Sequence, residues 1–291
     1  MASRLTIIGF AFVAILSSSC DAMNTANNPD DTQSPSTESS VMRSASSKQV
    51  DSQATPPQTT EKERAVKKSE AKEIFERGVT KYKARDYQGA IADFNEVIRL
   101  NPRYVEAYVN RGNAKDDLGD GQGAIADYSI AIRLDPNFAN AYTERGLARY
   151  RAGDKQGAIA DSNAAIRLNP KDPSAYVNRG NAKDDLGDSQ GAIADYNTAI
   201  RLNPNFAYAY NNRGLAKDRA GDYQSALIDY NEAIRLDPQY AYAYRNRGSL
   251  KERLGDKQGA IADLREAAKL FKQLGNTKVL EQILQKIQKL E

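Results

Sequence analysis

The sequence of 291 residues contains no histidine and only one cysteine, Cys20. Without histidine the chain cannot form a Ser-His or Cys-His catalytic pair or an HExxH metal site. A single cysteine excludes thiolate zinc sites and internal disulfides. No Gly-Lys-Ser or Gly-Lys-Thr sequence occurs, which excludes a phosphate-binding P-loop. These absences remove most hydrolase mechanisms, so we expect a protein that is not an enzyme and uses no cofactor or metal.

The chain also lacks a strong charge of either sign. Its 41 basic and 38 acidic residues leave a net charge of only +3. This balance does not indicate a nucleic-acid or strongly anionic partner, so we expect a partner that is recognised through local contacts. An RNA-binding solenoid is the less favoured alternative, because a basic, aromatic groove would be needed for it.

What the chain does contain is a unit of 34 residues that occurs six times. Each unit shows two helical patterns with a turn between them, and a helical hairpin of this size buries its apolar faces only against copies of itself. An alanine in the second helix keeps the same spacing, and a proline closes the first five units. The Arg-Gly pairs of the first helix are Arg77-Gly78, Arg111-Gly112, Arg145-Gly146, Arg179-Gly180, Arg213-Gly214 and Arg247-Gly248.

From Ala71 to Leu274 this pattern resembles the tetratricopeptide repeat family. Three departures are the Arg before each Gly, Ser162 in place of an aromatic residue and Lys272 in place of the last proline. The resemblance implies an all-α fold, a right-handed α-solenoid of six helix-turn-helix repeats. The repeats are expected at residues 71–104, 105–138, 139–172, 173–206, 207–240 and 241–274.

Helical patterns flank the repeats on both sides. Residues 60–63 fit a capping box, and the pattern then continues into the first repeat, so we place the whole array at residues 61–274. Residues 275–291 have one apolar stripe and resemble the capping helix of this family. A dimerising or membrane-lying helix is the alternative interpretation of that stripe.

The N-terminal residues 1–20 have the pattern of an export signal, with an apolar run and then small residues. Cys20 follows three serines and resembles a bacterial lipoprotein cleavage site, although Ser17 stands where leucine is usual. The alternatives are ordinary cleavage, which would release a soluble exported protein, and an uncleaved anchor. Residues 21–60 are predicted to be a disordered polar linker. We therefore expect an exported protein, anchored to a membrane by the lipid or the signal and facing the periplasm or cell exterior.

Two sets of charged residues have simple structural interpretations. The Arg before each Gly is matched by an Asp in the second helix of the same repeat, which predicts a ladder of ion pairs between helices. The acidic pairs Asp116-Asp117 and Asp184-Asp185 are predicted to lie on a solvated face, with a weak preference for a basic residue of a ligand.

In the family that the chain resembles, the first helix of each repeat lines a concave groove that holds an extended peptide or a partner helix. Some members grip a C-terminal carboxylate there, but at the matching positions this chain has Val177, Tyr242 and Asn246 instead of cations. We therefore expect a monomeric interaction scaffold that binds an internal extended segment or a helix of a protein partner and helps to assemble envelope complexes. The predicted groove residues are Asn110, Asn113, Asn178, Asn181, Tyr208, Asn211, Asn212, Tyr242 and Asn246.

Overall fold

The computed structural model describes residues 61–291, which form thirteen helices and no strand. None of these helices is both long and apolar enough to cross a membrane. The predicted signal, Cys20 and the predicted linker lie outside the described residues. The helices are α1 (Glu61–Lys83), α2 (Tyr87–Leu100), α3 (Val105–Asp117), α4 (Gly121–Leu134), α5 (Ala139–Arg151), α6 (Lys155–Leu168), α7 (Pro173–Asp184), α8 (Ser189–Leu202), α9 (Ala207–Arg219), α10 (Tyr223–Leu236), α11 (Ala241–Arg253), α12 (Lys257–Gln273) and α13 (Thr277–Leu290).

The first twelve helices form six hairpins that stack in chain order. Each second helix packs against its own first helix and against the first helix of the next repeat. First helices of neighbouring repeats approach one another more closely than the second helices do, so the row of first helices lies on the concave side. The predicted α-solenoid is confirmed.

Short turns join the two helices of each repeat and use the same residues each time. The aspartate before each second helix is its N-cap; the Asp188 carboxylate, for example, accepts a hydrogen bond of 2.9 Å from the Gly191 N–H. A glycine with positive φ precedes the aspartate in repeats 2 to 6, such as Gly187 at φ 89°. In repeat 1 this position is Arg85, at φ 61°, which is the left-handed region that glycine adopts most easily.

Small residues let the two helices of a repeat touch. A Cβ atom added to Gly180 would lie only 2.7 Å from Cε1 of Tyr196, because the tyrosine ring packs directly on the glycine. The alanine that recurs every 34 residues in the second helix is fully buried in all six repeats, as at Ala192. A branched side chain in place of Gly180 would therefore overpack this contact, at a cost of about 1 to 3 kcal/mol.

The predicted ladder of ion pairs is present in all six repeats. In repeat 4 the Arg179 guanidinium donates to both carboxylate oxygens of Asp195, at 2.9 and 2.5 Å, and Lys183 lies 2.8 Å from the same group. Arg179 also donates a hydrogen bond of 2.7 Å to Asn163 in the second helix of the preceding repeat. One guanidinium thus links three helices, and the same arrangement recurs in repeats 2, 3, 5 and 6.

Helix α13 covers the last repeat. Its buried side chains Val279, Ile283 and Ile287 belong to the same apolar cluster as Leu264 and Phe271 of α12. The apolar stripe of this helix therefore faces the end of the array.

Candidate functional site

All nine predicted groove residues lie on the first helices α3, α7, α9 and α11, and two of them are near the N-terminal end of this row. Asn110 donates a hydrogen bond of 2.8 Å to the carbonyl of Glu106 in the preceding helical turn. Asn113 is partly exposed and accepts a hydrogen bond of 2.8 Å from the Tyr128 hydroxyl. Both side chains therefore already have a partner within the fold.

The five predicted asparagines of repeats 4 to 6 are buried, and four of them bind one another. Asn181 Oδ1 accepts hydrogen bonds from the Tyr196 hydroxyl, at 2.8 Å, and from Asn212 Nδ2, at 2.9 Å. Asn211 donates to Asn212 at 2.9 Å, and Asn246 donates to Asn211 at 3.0 Å. This chain of amides joins the first helices of three repeats, which satisfies polar groups that would be costly to bury alone.

The predicted asparagines of repeats 4 to 6 are too deeply buried to form an open polar surface in the groove. Asn211 is fully buried, and Asn178 donates to the Thr143 carbonyl at 3.2 Å. Most of these amides are engaged within the fold, so they do not form the row of free donors and acceptors that their sequence positions indicate. That any of them binds a peptide stays a prediction.

The two predicted groove tyrosines are also buried. Tyr208 lies between Phe206 and Tyr240, with ring centroids 6.1 and 6.5 Å away. Tyr242 meets the ring of Phe271 edge to face, at 4.8 Å. Since only 1% of Tyr242 is exposed, this ring supports the fold beneath the groove instead of forming its surface.

The prediction that the acidic pairs lie on a solvated face is wrong. Asp116 accepts a hydrogen bond from Arg151, and Asp184 accepts one from Arg219. The side chain of Asp184 is only 4% exposed. Each Asp and its Arg are 35 residues apart, so they lie on the first helices of adjacent repeats, where these helices meet at the concave face. The sequence contains three Asp residues followed by an Arg 35 positions later, and the third pair is Asp218 and Arg253. This spacing was the sequence signal that could have predicted the ion pairs between repeats.

One acidic side chain on the concave face was not predicted. Glu144 of α5 is partly buried, and within residues 61–291 it forms no hydrogen bond and no ion pair. Burial, with the charge of Asp172 next in importance, raises its pKa to about 7. Between α5 and the loop before α7 there is an open pocket of about 290 Å³, lined by Ala139, Asn140, Asn169 and Asp172.

The stacked hairpins and their continuous concave face define a helical-repeat scaffold. A family model described as tetratricopeptide repeat matches residues 75–137, 109–173, 177–241 and 214–274. The chain belongs to the tetratricopeptide repeat family. Proteins of this family mediate protein–protein interactions, and their fold is typically a non-catalytic scaffold.

Solved structures agree with this assignment. The crystal structure of MamA protein is 29% identical, with a TM-score of 0.50, and the match covers 59% of this chain and 93% of that one. PilF of Pseudomonas aeruginosa is 15% identical over 76% of this chain and 98% of its own, with a TM-score of 0.62. Cut9–Hcn1 of the APC/C is 19% identical over 74% of this chain and 43% of its own, with a TM-score of 0.67. The last two show the fold alone. The comparison with curated protein sequences returned no match.

Proposed function

We propose that this protein is an exported, membrane-tethered scaffold that binds an extended segment or helix of a partner protein along its concave face. The observation that carries the proposal is the continuous row of first helices in a chain of the tetratricopeptide repeat family. Because the array has its own cap at α13, we propose that it works as a monomer. Helping to assemble or retain envelope complexes would fit a scaffold held at a membrane.

The tether rests on the N-terminal sequence. An export signal followed by Cys20 resembles a lipoprotein site, and Cys20 is the single cysteine in the sequence. The linker predicted at residues 21–60 would have a root-mean-square reach of about 35 Å. The concave face would then lie clear of the membrane surface and remain open to a partner.

Site-specific photo-crosslinking in the full-length protein tests the binding face. A benzoylphenylalanine at Leu215, which occupies in repeat 5 the place of Asn181 in repeat 4, would report on the concave face. The matched control places the same group at Ile228, which is 66% exposed on α10. We expect a defined crosslinked product from position 215 in cells and none from position 228. The same product from both positions, or none from either, would contradict the proposal.

A further inference from the structure

Arg245 of α11 is a partly buried arginine that has no carboxylate partner in the fold. Within residues 61–291 its side chain forms no hydrogen bond and no ion pair, and its guanidinium carbon lies 5.5 Å from the centre of the Tyr242 ring. Every other partly buried arginine of the described chain pairs with an aspartate, as Arg213 does with Asp229 at 2.5 Å. Arg245 is thus the exception to a rule that the rest of the array follows.

The end of the array explains why Arg245 has no partner. The same position in repeat 5 is Asn211, which accepts a hydrogen bond of 3.0 Å from Asn246, a residue 35 positions later in the following repeat. The residue 35 positions after Arg245 is Leu280 of α13, and its side chain has no polar group. The contact that serves this position in repeat 5 is therefore not open to Arg245.

The surroundings of Arg245 favour an incoming anion. Burial lowers the pKa of Arg245, and the groups that oppose this effect are tyrosines, with Tyr242 the most important. No aspartate or glutamate of residues 61–291 is among these groups. A partly buried cation without a counter-ion is unfavourable, because it has lost water and gained no opposite charge. The cation–π contact with Tyr242 holds the guanidinium in place and leaves its N–H groups able to donate.

We propose that Arg245 is a specificity-determining anchor of the concave face, which receives the carboxylate of an aspartate or glutamate on the partner segment. This inference rests on the proposed function. A guanidinium and a carboxylate match in geometry, since two parallel N–H groups can donate to two oxygens. All six repeats use this pairing within the fold, as between Arg247 and Asp263. A partner carboxylate would give Arg245 the counter-ion that the fold does not supply.

Small probes test the anchor in the full-length protein before any partner is known. N-acetyl-glutamate amide carries a side-chain carboxylate, and N-acetyl-glutamine amide has nearly the same shape without the charge. NMR of labelled arginine and tyrosine follows the signals of Arg245 and Tyr242 during each titration. We expect N-acetyl-glutamate amide to shift both signals and to bind about tenfold more tightly than N-acetyl-glutamine amide. Equal binding of the two probes would overturn the proposal. Tighter binding of N-acetyl-glutamine with a free C-terminal carboxylate than of either amide would overturn the choice of a side chain.

Two variants that remove the same charge show whether Arg245 is responsible, with the Tyr242 signal as the measure of binding. We expect Arg245→Gln to bind N-acetyl-glutamate amide about tenfold more weakly. The control Arg133→Gln, at an exposed arginine on α4, should bind it as the unaltered protein does. Arg245→Lys keeps the charge without the planar pair of donors and should retain part of the binding. Full binding by Arg245→Gln would show that the anchor is wrong.

The crosslinked product from position 215 separates this inference from the proposed function. A product that is about tenfold weaker in Arg245→Gln and unchanged in Arg133→Gln supports the anchor. An unchanged product in Arg245→Gln overturns the anchor and leaves the proposed function standing. If the unaltered protein gives no product, the proposed function fails, and the probe titrations decide on Arg245 separately.

Stability provides a readout that needs no ligand. Because Arg245 has no counter-ion in the described chain, Arg245→Gln should leave the midpoint of urea unfolding unchanged or raise it. Arg247→Gln, in the same helix, removes a partner of the buried Asp263 and should lower the midpoint. Equal decreases in the two variants would show that the fold already supplies Arg245 with a counter-ion, which would overturn the proposal.

Discussion

At the scale of single residues, the same tyrosine has different surroundings in different repeats. The Tyr196 hydroxyl donates to Asn181 of its own repeat, whereas in the repeat of Tyr230 the position that matches Asn181 is Leu215. Within residues 61–291 the buried hydroxyl of Tyr230 has no hydrogen-bond partner. Two chemically identical substitutions should therefore have different energetic consequences.

We predict that Tyr196→Phe lowers the free energy of unfolding by about 1 to 2 kcal/mol, because it removes a buried hydrogen bond to Asn181. Tyr230→Phe should be neutral or stabilising, since it removes a buried polar group that has no partner. Urea unfolding of both variants, followed by circular dichroism, measures the difference. Equal shifts of the two midpoints would show that the hydroxyls are not in the environments described.

The sequence predicted some residue contacts and not others, for a physical reason. The Arg–Asp ladder could be predicted because both partners recur in every repeat and lie within one hairpin. The burial of Asn211 and the lone carboxylate of Glu144 depend on how closely neighbouring first helices approach. That distance is a property of the stacked array and is not visible in a single repeat.

At the scale of the elements, the 34-residue period was enough to place the helix pairs. Helices α7 and α8, for example, both lie within the repeat predicted at residues 173–206. The turn glycines end the first helices, and the aspartates that follow cap the second ones. The capping hydrogen bonds were not predicted, although an aspartate directly before each second helix was the signal.

The first repeat allows a test of the turn geometry. We predict that Arg85→Gly stabilises the protein by about 0.5 to 1 kcal/mol, because glycine adopts positive φ without the steric cost that arginine incurs, partly offset by its greater freedom in the unfolded chain. Arg85→Ala serves as the control, since alanine keeps the steric cost and should bring no gain. Unfolding midpoints in urea distinguish the two. A gain in the alanine variant of the same size would show that removing the arginine charge was responsible.

At the scale of the whole molecule, the proposed membrane tether is separate from the repeat array. We predict that Cys20→Ser releases the protein from membranes, because the lipid would be its attachment and no helix in residues 61–291 can span a bilayer. Fractionation after a high-salt wash measures the release. When benzoylphenylalanine is also placed at position 215, the released Cys20→Ser protein should still form the crosslinked product with its partner. Continued sedimentation of Cys20→Ser with membranes would rule out the lipid as the attachment.

The arginine that links three helices in each inner repeat also has a mechanical consequence. Arg77 has no earlier repeat to bind, and its side chain is 58% exposed, compared with 20% for Arg179. Repeat 1 is therefore joined to the array on one side only, through Arg111 with Asn95 and Tyr82 with Asp117, whereas each later repeat is held on both sides. In the proposed arrangement, any tension between membrane and partner would enter through this repeat. We expect repeat 1 to separate from the array and unfold first under such tension, so that repeats 3 to 6 would keep their structure.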